Sequence, residues 1–378
     1  MTLLALLACT GPDDASTLPA NAPDAVATYA DIVHATYEDS GYGAAELRGA
    51  ITSFTATPDA AGLDAARTAW LDNRESYLQS EAFRFYDGPI DNPTDGPEGL
   101  INAWPMDEAY VDYVEGDETA GIINDPTVPI DADTLMGLNE SGGEKNIATG
   151  YHAIEFLLWG QDFDDAGPGA RPYQDYLIDG DTAAPNAERR AQYLFVIAEL
   201  LEGHLRGLDD AWEDTAGSYR EGFTADGNEF TALQNALTGI IVLSGFETGG
   251  ERLQAALDSG EQEDEHSCFS DNTHRDMVVD VVGIGNVWWG EYGGEVDGTG
   301  LRDVVAEVDA DLAASVDDRI DESLALAEAL QPPFDQEINP ANDEGNARVQ
   351  ALIDSLRTQE ELLFEVFSAL GMTVEIPE

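Results

Sequence analysis

Of the five histidines in the sequence, at positions 34, 152, 204, 266 and 274, three fall in segments whose neighbours could hold a cation. The first segment reads Gly150-Tyr-His152-Ala-Ile-Glu155-Phe-Leu-Leu-Trp-Gly160. His152 and Glu155 are three residues apart, which on a helix sets them on one face about a turn from each other. Ile154, Phe156, Leu157, Leu158 and Trp159 make the rest of the circumference apolar, so the helix is expected to be buried on most sides. An ionisable pair in such surroundings needs a compensating partner. A bound cation is one, as in di-metal bundles where a carboxylate and an imidazole at this spacing point inward. A His–Glu hydrogen bond that orders the bundle is another, and spacing alone leans toward it.

The second segment, Glu263-Asp-Glu-His266-Ser-Cys268-Phe-Ser-Asp271-Asn-Thr-His274-Arg-Asp276, gathers two imidazoles, a thiol and several carboxylates. Ser270 or Asp271 fits an N-cap, after which Asp271 and His274 share a face of the following helix. Imidazole with carboxylate suits iron or zinc; a capping network beside a solvated acidic loop accounts for the same residues equally well. Cys268 reads as a small buried residue, and His34 and His204 as ordinary residues of amphipathic helices. A zinc peptidase is expected to show His-Glu-x-x-His or its inverse, whereas Phe156 follows Glu155 here. No nucleophile elbow, Walker loop or dinucleotide fingerprint is present. Gly283 and Gly285, inside a helical pattern, are expected to permit close helix packing.

The elements that must position these residues are helices. Apolar residues recur three and four apart over Ala25–Glu38, broken at Gly41 and Gly43 and resumed over Ala44–Phe54, and again over Leu63–Phe85. Asp87–Glu98 is too rich in turn formers to be helical. Further helices are expected over Asn146–Trp159, Ala187–Trp212, Asn228–Leu257, Asn272–Trp289, Leu301–Leu330 and Ala347–Leu370, with Pro332-Pro333 stopping the penultimate one. Strand-like alternation is nearly absent. The expected fold is all-α: two helical-bundle domains, four-helix and up-and-down, packed side by side. The best seam is Asp179–Pro185, which gives residues 24–182 to an N-terminal bundle and 183–378 to a C-terminal one, after a leader and tether over 1–23.

The chain has 378 residues, enough for a sizeable core. Its 16 Lys+Arg against 76 Asp+Glu give a net charge of −60, and Lys145 is the sole lysine. Such a surface repels phosphate backbones and anionic headgroups, which excludes nucleic acid as a partner. Acidity spread along the whole chain reads as adaptation to salt. The two cysteines, Cys9 and Cys268, make no disulfide framework. Met1-Thr-Leu-Leu-Ala-Leu-Leu-Ala-Cys9 resembles a clipped lipoprotein signal, and the polar stretch to Pro23 a tether. Lipidation of Cys9, and so a membrane anchor without a spanning helix, is expected.

The two histidine segments are similar to those of the imelysin family, and specifically of its iron-regulated lipoprotein branch. Gly150-Tyr-His-Ala-Ile-Glu-Phe-Leu-Leu-Trp-Gly160 matches that family's G-x-H-x-x-E signature, and Glu265–Asp276 its second motif; Glu81–Asp91 and Asn102-Ala-Trp-Pro105 also fit. The resemblance implies two helical domains with the signature residues near their interface. It also implies a periplasmic or outer-membrane lipoprotein of the bacterial envelope, linked to iron uptake and to an iron-transport partner protein. The expectation is an anchored iron-binding protein with His152 and Glu155 as ligands from the first bundle and His266, Asp271 and His274 from the second. Two alternatives stand beside it: a zinc-dependent metallopeptidase with Glu155 as general base, and a module binding a polysaccharide or chelated iron, with Trp104, Trp288 and Trp289 lining the site.

Overall fold

The computed structural model describes residues 18–178 and 184–374. Helices dominate, and the named strands are two-residue pieces, Glu291–Tyr292 paired antiparallel with Val296–Asp297. The chain is all-α, as its periodicity predicts. Cys9 and the expected tether up to Ser16 and Thr17 lie outside the described residues, as do positions 179–183 of the expected seam.

Helix α1 spans Ala22–Ala56 without interruption. The break expected at Gly41 and Gly43 does not occur. Both glycines instead let a neighbour come close: a Cβ on Gly43 would lie 2.5 Å from Asn73 Nδ2, and one on Gly41 3.3 Å from Arg206 Cδ. Each glycine costs a helix about 1 kcal/mol. Burying side chains such as Val33, Tyr37, Leu47 and Ile51 outweighs this, at about 1.5–3 kcal/mol for each large apolar one. Helix α2, Ala60–Tyr77, is capped by the Asp59 carboxylate, which accepts from Gly62 N at 2.7 Å. It tightens into 3₁₀ turns over Leu78–Phe83, short of the expected Phe85, and these turns bury Glu81 along with Ala82 and Phe83.

Helix α3 is Gly150–Trp159 and α4 is Ala187–Trp212. Helix α5, Glu229–Ile241, runs on into π-helical turns over Val242–Gln254 and a last α turn at Ala255–Ser259. Gly245, Gly249 and Gly250 lie in the widened stretch. Helix α6 is Thr273–Trp289. The single helix expected over Leu301–Leu330 is two, Leu301–Ala306 and α7, Ala310–Ala327, because Asp309 breaks it: its carboxylate accepts from Leu312 N at 3.0 Å and starts a new helix. Helix α8 spans Asp343–Ala369.

The long helices pack in two groups of four, α1 with α2, α3 and α4, and α5 with α6, α7 and α8. One apolar cluster runs through both groups, from Ala22 to Met372, and a smaller one belongs to the second group. The two groups meet where α6 crosses the 3₁₀ turns after α2. There a Cβ on Gly283 would lie 2.5 Å from Gln79 O, so this glycine permits the close packing expected of it.

Candidate metal centre

Helix α3 is buried at every one of its ten positions, deeper than its expected burial on most sides. It begins at Gly150 rather than Asn146 because φ there is +86°, and a side chain would meet Ile101 O at 2.4 Å. This is the physical reason for glycine at the head of the motif. Its polar atoms are tied to α2 and the loops: Trp70 Nε1 donates to Tyr151 O at 3.0 Å, and Arg67 donates to Leu158 O through Nε and Nη2 at 3.1 and 2.9 Å. His152 and Glu155 are therefore held by a helix with little freedom to shift.

His152 Nδ1 lies 2.9 Å from Glu155 Oε2. The other oxygen, Glu155 Oε1, accepts from Ser270 N at 2.9 Å and Ser270 Oγ at 2.7 Å. His152 Nε2 is buried and has no hydrogen-bond partner. Across the junction, His266 turns its ring edge to face toward His152, centroids 5.0 Å apart, with Nδ1 2.7 Å from Asp276 Oδ2. Each imidazole is thus fixed through Nδ1 by a buried carboxylate. That is the arrangement by which outer carboxylates orient metal-binding histidines and hold the proton on Nδ1. A metal entering here would meet the two Nε2 nitrogens, with Glu155 as the orienting partner of His152.

Asp276 is the better held of the two carboxylates. It accepts from Asn272 Nδ2 at 2.8 Å and Ser267 Oγ at 2.5 Å, and pairs with Arg74 Nη2 at 3.2 Å. Burial pushes its acidity weaker, but Arg74, His266 and Ser267 outweigh burial and hold it ionised, below the usual carboxylate range. Glu155 lacks a cation in contact, so burial dominates and raises its pKa to about 8, against the Ser270 hydrogen bonds. Burial, joined by the charges of Arg74 and Arg252, pushes His152 well below its usual value, and burial with Arg252 pushes His266 to about 3. Both rings are neutral near pH 7, and His152 presents a free Nε2 once its proton sits on Nδ1 and Glu155 is ionised.

Arg74 is itself fully enclosed: Nη1 donates to Asn102 Oδ1 at 2.6 Å, and its guanidinium carbon lies 4.9 Å from the Tyr151 ring centre and 5.4 Å from that of Trp70. A second ionic layer follows. Arg252 pairs with Glu81 and, at 2.8 Å, with Asp280, while Arg84 holds Glu81 at 2.7 Å and Glu98 at 3.1 Å. Burial raises the Asp280 pKa to about 7 despite Arg252. Two small clefts reach the rings from outside and share Trp104, which stands 5.7 Å from His266. One, of 230 Å³, runs past Met106 and Glu108 to His152; the other, of 180 Å³, passes Glu98 and Glu247 to His266.

The five expected ligands do not form one coordination sphere. His152, Glu155 and His266 come together. His274, on the first turn of α6, is tied instead to Asp271 O, 3.1 Å from its Nδ1. Asp271 adopts a left-handed φ of 56° and turns its carboxylate to Asp162 and Asp335. Helical spacing on α6 could not anticipate this, because Asp271 precedes the helix, whose N-cap is Asn272. Cys268 has no disulfide and is half-buried, less covered than expected. Trp288 is buried, and both the Trp288 and Trp289 indoles donate to Asp317 Oδ1, at 2.8 and 3.1 Å. His34 pairs with Asp209 at 3.3 Å and His204 is half-buried, away from the site. Sequence reasoning missed Asp276, Ser270 and Arg74. Asp276 lay within the second motif, but its partner is ten residues back across a loop, a separation no helical period marks.

The Imelysin family matches residues 33–363, most of the chain. This chain belongs to the Imelysin family. Its curated relatives include iron-regulated protein A of Synechococcus elongatus, 25% identical over 326 residues, covering 84% of this chain and 78% of the relative. Among solved structures, this imelysin-family chain is similar to an iron-regulated protein A precursor of Parabacteroides distasonis, with a TM-score of 0.70 at 20% identity over 94% of this chain and 97% of that one. It is also similar to an imelysin-like protein of Psychrobacter arcticum, with a TM-score of 0.65 at 14% identity over 96% and 99% of the two chains. These likenesses show the fold. Among the described residues, no helix is long and apolar enough to cross a membrane.

Proposed function

We propose that this imelysin-family protein binds iron between its two helix groups, with His152 Nε2 and His266 Nε2 as protein ligands, and serves iron uptake in the bacterial cell envelope. The observation that carries the reading is the buried, unpartnered Nε2 of His152 beside the ring of His266, each imidazole fixed by a carboxylate. An unsatisfied buried nitrogen costs roughly 1–3 kcal/mol, and a metal ion satisfies it. That a relative carries the name iron-regulated protein A supports iron over zinc. Envelope location rests on the lipid anchor proposed at Cys9, and an iron-transport partner protein would receive or deliver the metal.

For coordination, His152 must carry its proton on Nδ1, toward Glu155, and leave Nε2 free. Below the Glu155 pKa of about 8 that carboxyl holds a proton of its own; loading the site releases one proton from the His152–Glu155 pair. A zinc peptidase reading asks Glu155 to act as base on a water. Its two oxygens are already engaged by His152 and Ser270, which supports binding over hydrolysis. The test is metal analysis and calorimetric titration with iron, on the full chain and on His152→Ala with His266→Ala. Binding is expected to weaken at least ~100-fold in the double variant, the upper end of what disturbing a site's supporting shell costs. Unchanged iron binding overturns the assignment.

A further inference from the structure

We propose that Asp162, Asp271 and Asp335, backed by the buried carboxylate of Glu265, form a second site, for a hard divalent cation, calcium, separate from the histidine pair. Three segments remote in sequence supply it: the loop after α3, the loop leading into α6, and the short helix Phe334–Ile338. One carboxylate oxygen from each of Asp162, Asp271 and Asp335 lies within 4.8 Å of the others. Two ligands on opposite sides of a calcium ion stand about that far apart, given a Ca–O distance of about 2.4 Å.

A gathering of acids is common on so acidic a chain, and Glu265 is what sets this one apart. Its side chain is 0% exposed, and neither carboxylate oxygen accepts a hydrogen bond. The groups it senses are the Asp335 and Asp271 carboxyls and the Thr273 hydroxyl, so it stands against the same cluster from the interior. Asp162 Oδ2, Asp271 Oδ1 and Asp335 Oδ2 are likewise buried without donors. Among the described residues no Arg, Lys or His side chain pairs with any of the four carboxylates; His274 reaches only the Asp271 backbone carbonyl. Buried carboxylates facing one another without a cation are costly. A cation among them removes that cost and pins three distant segments together.

The chemistry of the donors selects the cation. All are oxygens, with no imidazole or thiolate, which suits calcium, magnesium or manganese better than softer metals. Several carboxylates from three separate segments, able to bind through one oxygen or two, match the six to eight ligands of calcium rather than the strict octahedron of magnesium.

The test is calorimetric titration of metal-stripped full chain with calcium in ~1 M NaCl, which screens diffuse attraction to the acidic surface, together with the thermal midpoint with and without calcium. One calcium per chain and a calcium-dependent rise in midpoint are expected. Glu265→Gln and Asp335→Asn should each weaken binding at least ~10-fold, while His152→Ala keeps it; failure of the iron site and failure of this one are thereby distinguishable. Should Asp335→Asn fold poorly, Asp162→Asn gives the same reading from the loop. A wild-type chain indifferent to ~1 mM calcium, or carboxamide variants that bind as wild type does, would overturn the proposal. So would variants more stable than a calcium-insensitive wild type, since the acids would then be sharing protons.

Discussion

His152 and His266 meet edge to face, ring centroids 5.0 Å apart, although they are 114 positions apart, one on α3 and the other in the loop leading into α6. The contact holds because Glu155 fixes one ring from within its own helix and Asp276 fixes the other across the loop into α6. Asp276→Asn keeps the shape but removes the charge that holds the proton on His266 Nδ1. Metal affinity is expected to fall ~10–100-fold with little change in secondary structure, read by titration beside circular dichroism. Wild-type affinity in this variant would leave Asp276 a purely structural residue.

Stability should fall as pH rises from mildly acidic to mildly basic. Burial, first among the causes, raises Glu155 and Asp271 to about 8 and Asp280 to about 7, against unfolded values near ~4. Between those limits the folded chain holds protons that the unfolded chain has released, so the stability change with pH is negative. Asp276 and Glu81, held low by their arginines, act in the opposite sense below pH ~4, and His152 and His266, kept neutral by burial, do so below pH ~6.5, where the unfolded imidazoles take up protons that the folded ones do not. Metal-free protein is therefore expected to lose stability mainly above pH ~6.5, where only the raised carboxyls still titrate, with a lower urea midpoint at pH ~8.5 than at ~6.5, and Glu155→Gln should flatten the slope. A midpoint that climbs over this range contradicts the assignment.

Arg74 is the cation on which the site's charge balance turns. Arg74→Met removes it while filling the volume, leaving Asp276 buried and short of its counter-charge. A loss of about 3–5 kcal/mol is expected, measured by denaturant unfolding. Arg74→Lys should recover little, because one ammonium cannot serve Asn102 and Asp276 as the planar fork does.

Gly150 tolerates no side chain for two independent reasons, its φ of +86° and the Ile101 carbonyl 2.4 Å from where a Cβ would stand. Gly150→Ala is expected to cost at least ~1–3 kcal/mol from backbone strain alone and to weaken metal binding through a shifted His152. Gly203→Ala, with open space around it on α4, serves as the control and should be neutral or slightly stabilising.

Salt should stabilise the fold. A net charge of −60 on a compact body repels itself, and added ions screen that repulsion. Raising NaCl from ~0.1 to ~2 M, where the screening length falls below ~3 Å, is expected to raise the thermal midpoint progressively. A midpoint indifferent to salt would remove the case for salt adaptation.

Sequence by itself determined the helices and the burial of the His152 helix, because three-and-four spacing of apolar residues is local information that each segment carries alone. It also marked Gly283 as a packing glycine and placed His152 and Glu155 on one face. The tertiary structure decided the rest. Whether Gly41 and Gly43 break α1 depended on Asn73 and Arg206 arriving from other helices. Where α4 belongs depended on the face it found: the expected seam gave it to the second half, yet it lies along α1. The pairing of His266 with Asp276, and the turn of Asp271 toward Asp162 and Asp335, belong to the loop before α6, where Asp271 takes a left-handed φ. No periodicity reaches across such a loop, since its path is fixed by the groups it must satisfy on either side.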